Sequence, residues 1–359
     1  MSISVSIGHY TYSMRSYAIV GLLLLHGSLG VVGFNASTLQ ALHVVDAKRY
    51  LYFTSLFRES ACHNKDNGAA SDRIVANTNE PLLNMREILP LLKHQNILFV
   101  GDSVVKIQFA AFAALVWEAD TSCERSGMSV YSKKWDFTVE FIRAEHILDI
   151  QRPDLYNDLS QKKLSHELSI KLSGKFKTRV PTVLVLSTSH HWRMGKYMQN
   201  ISSSSKEGLS LNIQVLQQGI ARINTLLKPF SNTTRIIWRA VSARHFSNGE
   251  WDSGGNCNRT IPYSAAELLH EMAYDSFFIP IQSMYASAVI RKDALISGFE
   301  FLDILPNSML RPDGLVGELH HNSTVIDCVH YCVPGVPDVW NTLLLRLILN
   351  PSSGDNEYY

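Results

Sequence analysis

The stretch NILFVGDSVVKIQ, residues 96–108, decides how this chain folds. Residues 96–101 are a short apolar run ending in glycine, which reads as a buried strand. A helix follows over 104–118. Strand, tight turn and helix in that order set Ser103 at a helix N-terminus, where backbone N–H groups can stabilise an oxyanion. Gly101 and Asp102 form the turn, with Asp102 bracing it. Serine is also a favoured helix cap, so this tripeptide alone leaves both readings open.

The same alternation continues on either side. Residues 135–143, 181–188, 234–241 and 300–305 read as further strands, and 209–227, 264–278 and 339–349 as helices. Ser264 caps the second of these ahead of Glu267. Strands alternating with helices predict an α/β sheet covered by helices on both faces. The body is expected as one domain over 85–350, preceded by an irregular stem or cap over 35–84 and followed by a tail over 351–359.

Composition narrows the function. Of the 359 residues, 46% are apolar and 18% charged, with a formal net charge of +1. No basic stripe is present, so a nucleic-acid partner has no electrostatic support. After a short tail (1–16), residues 17–34 carry no charge and follow Arg15. They are read as a membrane anchor or a signal segment, with a buried core helix as the alternative. Asn-x-Ser/Thr sequons begin at Asn35, Asn200, Asn232, Asn258 and Asn322, all beyond that segment. Five cysteines, at 62, 123, 257, 328 and 332, leave at least one unpaired within the chain.

In open α/β sheets, ligands sit beyond the carboxyl ends of the strands. A serine nucleophile there needs a base, and the base needs an orienting group. Asp327 and His330 offer both, three residues apart. His330 beside Cys328 and Cys332 has a metal-ligand reading too, which the missing second Cys/His pair disfavours. Other strand-end loops carry Ser189, His190 and Trp192, then Arg244, His245 and Trp251, with Arg239 as a further candidate in the strand before the second of them. These suit a sugar acceptor, although Trp192 and Trp251 serve equally well as lids on the core.

Four blocks in this order resemble the plant trichome-birefringence-like polysaccharide O-acetyltransferases, of the PC-esterase type in the GDSL/SGNH superfamily. They are FVGDSVVKIQ (99–108), VLVLSTSHHW (183–192), RAVSARHFSNGEWDSGGNC (239–257), and RPDG (311–314) with DCVHYCVPGVPDVWNTLL (327–344). The resemblance implies a three-layer α/β/α SGNH-type sandwich with a mostly parallel sheet. It also implies Ser103 as nucleophile, His330 as general base and Asp327 as its partner. The implied setting is the Golgi membrane, single-pass with a lumenal catalytic domain, or secretion if 17–34 is cleaved. No bound cofactor or metal is expected. An acetyl donor such as acetyl-CoA would be co-substrate, and a polysaccharide or glycan the acceptor. Departures from the family pattern include Ser189 for the glycine that would help complete an oxyanion hole, Lys106 for Arg, Ala243 for Pro and Leu315 for His. A glycan esterase with the same triad, or an inactive lumenal glycan-binding protein, are the competing readings. Cys257 is expected to pair with Cys328 or Cys332, beside the triad.

Overall fold

The computed structural model describes residues 4–7, 10–13, 84–144, 168–174, 179–188, 206–247, 254–257, 259–268, 278–316 and 326–350. The apolar segment 17–34 and almost all of the expected stem lie outside them. Among the described residues no helix is long and apolar enough to cross a membrane.

The central strand β1 (Asn96–Gly101) is followed by helix α1 (Ser103–Ala119), then by β2 (Cys123–Ser126), β3 (Ser129–Ser132) and β4 (Phe137–Arg143). Strand β5 (Val183–Leu186), helix α2 (Lys206–Leu227) and strand β6 (Arg235–Arg239) come next. Helix α3 (Phe278–Ile296), strand β7 (Glu300–Leu302) and, after a short helical turn at Leu305–Met309, helix α4 (Val336–Leu349) follow. The seven strands form one sheet in the order β2-β3-β4-β1-β5-β6-β7. β4, β1, β5, β6 and β7 pair in parallel, while β2 and β3 add an antiparallel edge. A separate antiparallel pair, Ser4–Ile7 with Tyr10–Ser13, lies outside this sheet.

Strand β1 is apolar from Ile97 to Val100 because both its faces are covered. Ile97 and Phe99 enter one core with α1 and α4, and Leu98 and Val100 enter the other with α2 and α3. This is a three-layer α/β/α sandwich. Helix α1 lies deepest, with residues buried on most of its circumference. Phe109 and Phe112 of α1 meet Phe99 with ring centroids 6.2 and 6.0 Å away, and Phe109 stacks on Phe141 of β4 at 5.7 Å. Such pairs fix the height and rotation of α1 on the sheet.

Helix α3 occupies residues for which the sequence pattern predicts no element beyond 278. The expected helix over 264–278 is present only where its start is described. There Ser264 and Glu267 form a reciprocal capping box, with bonds of 2.8 and 3.2 Å. Helix α3 stops at Gly298, whose φ of 74° lets the chain reverse while Phe299 N–H bonds Ala294 C=O at 2.9 Å. The β2–β3 hairpin was also unread, since CERS has no apolar alternation.

The edge of the sheet away from the strands' carboxyl ends carries a charged cluster. Asp136 Oδ2 accepts from His94 Nδ1 at 2.9 Å, and Oδ1 bonds both Arg179 Nη2 and, at 3.2 Å, the Tyr131 hydroxyl. His94 and Arg179 hold the Asp136 carboxyl down to about 2. A depressed carboxyl stabilises the fold above its ordinary value of 3.8 and loses that contribution as pH falls towards 2. Asp136 has φ 49°, a conformation asparagine also accepts, so Asp136→Asn isolates the charge. The variant is expected to unfold at lower urea than the parent at pH 6, with the gap closing by pH 2. A gap that stayed constant with pH would remove the carboxylate from the account.

Candidate active site

Gly101 ends β1 at the middle of the sheet, where the carboxyl ends of the parallel strands open into loops. Asp102 then turns the chain. Its Oδ1 accepts the N–H groups of Val104 and Val105 at 3.0 and 3.3 Å, which caps α1. Asp102 is buried and committed to this brace. The cap leaves Ser103, half-buried, as the first residue of the helix.

Gly101 is required by close approach. A Cβ there would sit 2.4 Å from Val105 Cγ2 and 2.7 Å from the Ser187 carbonyl oxygen. That carbonyl cannot retreat freely, because Ser187 N–H bonds Val100 C=O at 3.2 Å. Gly101→Ala is expected to cost about 1–3 kcal/mol in urea unfolding and to slow any reaction at Ser103. Unchanged midpoint and rate together would show that the turn yields without consequence.

The partner loop precedes α4. Asp327 Oδ1 accepts the N–H groups of Val329 and His330 at 3.1 and 3.0 Å, so the carboxylate is locked within its own turn. Its Oδ2 lies 2.7 Å from His330 Nδ1. Burial raises the Asp327 pKa, but the bonds and charge of His330 and the two N–H groups outweigh it, leaving the carboxyl below its ordinary value. With Nδ1–H donated to Asp327, Nε2 is left as an acceptor, and Ser103 Oγ–H donates to it at 2.7 Å. Ser103, His330 and Asp327 thus form one continuous hydrogen-bonded chain.

Several braces hold that loop. Cys257 is bonded to Cys328, one of the two partners expected, and Cys332 is disulfide-bonded as well. Tyr331 bridges to Leu315, while Val316 N–H bonds His330 C=O at 3.0 Å and Cys332 N–H bonds Gly314 C=O at 2.8 Å. Gly314 follows the buried, two-pronged Arg311–Asp313 ion pair, with both bonds at 2.9 Å. The RPDG block therefore serves as a strap beneath the histidine loop.

The remaining expected site residues divide. Ser189, His190, Trp192 and Trp251 lie outside the described residues. Arg239, expected at the acceptor, is fully buried, and its guanidinium bonds Gln108 and Ser187 instead. That corrects its place from the groove to the interior. His245 and Arg244 are also buried. The His245 ring meets Ser308 C=O at 2.9 Å, and burial presses its pKa down to about 4, so it is a neutral internal brace. Among the described residues no group of three or more His, Cys, Asp or Glu side chains could hold a metal ion.

A model of the PC-esterase family, described as a GDSL/SGNH-like acyl-esterase family found in Pmr5 and Cas1p, matches residues 81–347. The chain belongs to the PC-esterase family. The matched span contains the whole seven-stranded sheet and all three members of the Ser103–His330–Asp327 chain. Similar proteins include trichome birefringence-like 14 of Arabidopsis thaliana, 30% identical over 187 residues, which are 46% of this chain and 44% of that one. Xyloglucan O-acetyltransferase 4 of Populus trichocarpa is 36% identical over 118 residues, 31% of this chain and 27% of that one. Xyloglucan O-acetyltransferase 2 of Arabidopsis thaliana is 22% identical over 294 residues, 75% and 70% of the two chains. The chain thus spans less than half the length of the first two.

Proposed function

We propose that this chain is a polysaccharide O-acetyltransferase that carries the acetyl group on Ser103. The observation that supports this best is the unbroken chain from Ser103 Oγ through His330 to Asp327, at the carboxyl end of the central strand. Its PC-esterase membership and its likeness to two xyloglucan O-acetyltransferases point to a glycan acceptor.

In this reading Ser103 Oγ attacks the carbonyl carbon of an acetyl donor, such as acetyl-CoA, while His330 Nε2 takes its proton. The tetrahedral intermediate collapses as His330 protonates the leaving group. A sugar hydroxyl then attacks the acetyl-serine, gives its proton to His330, and Ser103 recovers a proton when the new ester departs. The Ser103 N–H at the start of α1 faces the developing oxyanion. Asp327 keeps the imidazole in the tautomer that accepts from Ser103. A lumenal setting is favoured by the Cys257–Cys328 bridge and by the exposed sequon asparagine Asn232.

Intact-mass measurement with an activated acetyl donor tests the reading. The parent is expected to gain one acetyl group that Ser103→Ala does not gain, and xyloglucan oligosaccharides should then remove it and carry it themselves. If water discharges the acetyl-enzyme equally fast with and without glycan, the chain is an esterase. If no acetyl is gained by the folded parent, the covalent reading is lost.

A further inference from the structure

Arg239 is the last residue of β6 and points into the core beneath the nucleophile turn. One prong, Nη1, donates to Gln108 Oε1 at 3.2 Å, on the helix that begins with Ser103. The other, Nη2, donates to Ser187 Oγ at 3.3 Å, on the strand end that packs against Gly101. The guanidinium carbon lies 5.3 Å from the Trp340 ring centroid, and that ring meets Tyr331 edge-on at 5.1 Å. Tyr331 adjoins His330. A single buried side chain therefore touches, directly or through one ring, all three segments that assemble the site.

The cluster is poorly suited to a purely stabilising role. Gln108 Nε2, Arg239 Nε, Trp340 Nε1 and Asn341 Oδ1 are all buried without a hydrogen-bond partner among the described residues. They are contiguous, since Asn341 Nδ2 also bonds Gln108 C=O at 3.1 Å. Apolar side chains of the same volume would avoid these desolvated atoms. Burial lowers the Arg239 pKa, but only to about 10, so the cation persists at neutral pH. Asp102, which adjoins Ser103, is the carboxylate whose charge acts on it, yet the two share no hydrogen bond.

We propose that Arg239 is a positioning residue for acyl transfer, fixing the distance and angle between Ser103 and His330 from beneath rather than contacting substrate. The inference rests on the acetyl-serine reading above. Misplacement by about 1 Å costs on the order of a hundredfold in rate, so loss of the fork should act on the rate of reaction far more than on binding.

The test uses the whole chain, with p-nitrophenyl acetate as donor. Arg239→Met is expected to lower the acetylation rate constant on the order of a hundredfold, with KM for the donor within about threefold of the parent. Arg239→Lys, which keeps the charge but not the fork, should recover about a tenth or less of the parent rate. Each rate is referred to folded protein by circular dichroism. Should Arg239→Met fail to fold, Ser187→Ala and Gln108→Leu each remove one prong and are expected to slow acetylation at least about fivefold at unchanged KM. Parent-like rates in the folded variants, or a rise in KM alone, overturn the inference while leaving the acetyl-serine reading intact. A parent that shows no Ser103-dependent acetylation overturns both.

Discussion

Replacing His330 with alanine is expected to slow acetylation of Ser103 by about 10⁴-fold or more, with little change in stability. The loss follows from the geometry. Ser103 Oγ has His330 Nε2 2.7 Å away, and no oxygen nucleophile of ordinary pKa reacts well without a base to receive its proton. Asp327→Asn is expected to cost a similar order, about 10⁴-fold, for a different reason. An asparagine could still accept the Val329 and His330 N–H groups through its oxygen and preserve the turn. Its amide would face Nδ1 as a donor, leaving the proton on Nε2 and turning the imidazole into the wrong tautomer for Ser103. Single-turnover mass measurements with an activated acetyl donor check both. A His330→Ala rate within tenfold of the parent would remove His330 from the role of base.

The second large effect concerns Cys257 and Cys328, whose bridge joins positions separated by 71 residues. In the chain-entropy account a loop of that size contributes about 4 kcal/mol through the unfolded state. The double variant Cys257→Ala/Cys328→Ala is expected to melt roughly 10 °C below the parent. It should also acetylate more slowly, because Cys328 C=O receives His245 N–H at 3.1 Å one residue after Asp327. Calorimetry and single-turnover rates separate the two consequences. An unchanged melting temperature would mean that the bridge adds nothing to the constraint already supplied by the Leu315–Tyr331 pairing.

Much of this architecture is legible in the sequence because its signals are local. A run such as 97–100 is apolar at every position only when helices cover both faces, and the Gly-Asp-Ser turn declares its own conformation. Asp327 and His330 are readable because three residues of spacing suffice for one turn to hold both. Arg239 departs from its expected place in the acceptor groove for a physical reason. Its charge suggests an exposed groove, but the strand end is buried on both faces, Trp238 and Ala240 included, and the partners that hold the guanidinium inside, Gln108, Ser187 and Trp340, lie far away in sequence. Helix α3 escaped because it is apolar without a clean stripe, and the β2–β3 hairpin because its first strand is polar.

The hydrogen bond between Ser103 and His330 joins positions 227 residues apart. Synthesis proceeds from the N-terminus at about 5–20 residues per second, so Ser103 is made tens of seconds before its base. Throughout that interval the emerging chain holds a serine without a proton acceptor. The Ser103–His330 pair is complete only once the loop at 327–332 has been made, and helix α4 follows it in the chain. In the acetyl-serine reading, a product that stops short of His330 lacks the base that acyl transfer from Ser103 requires.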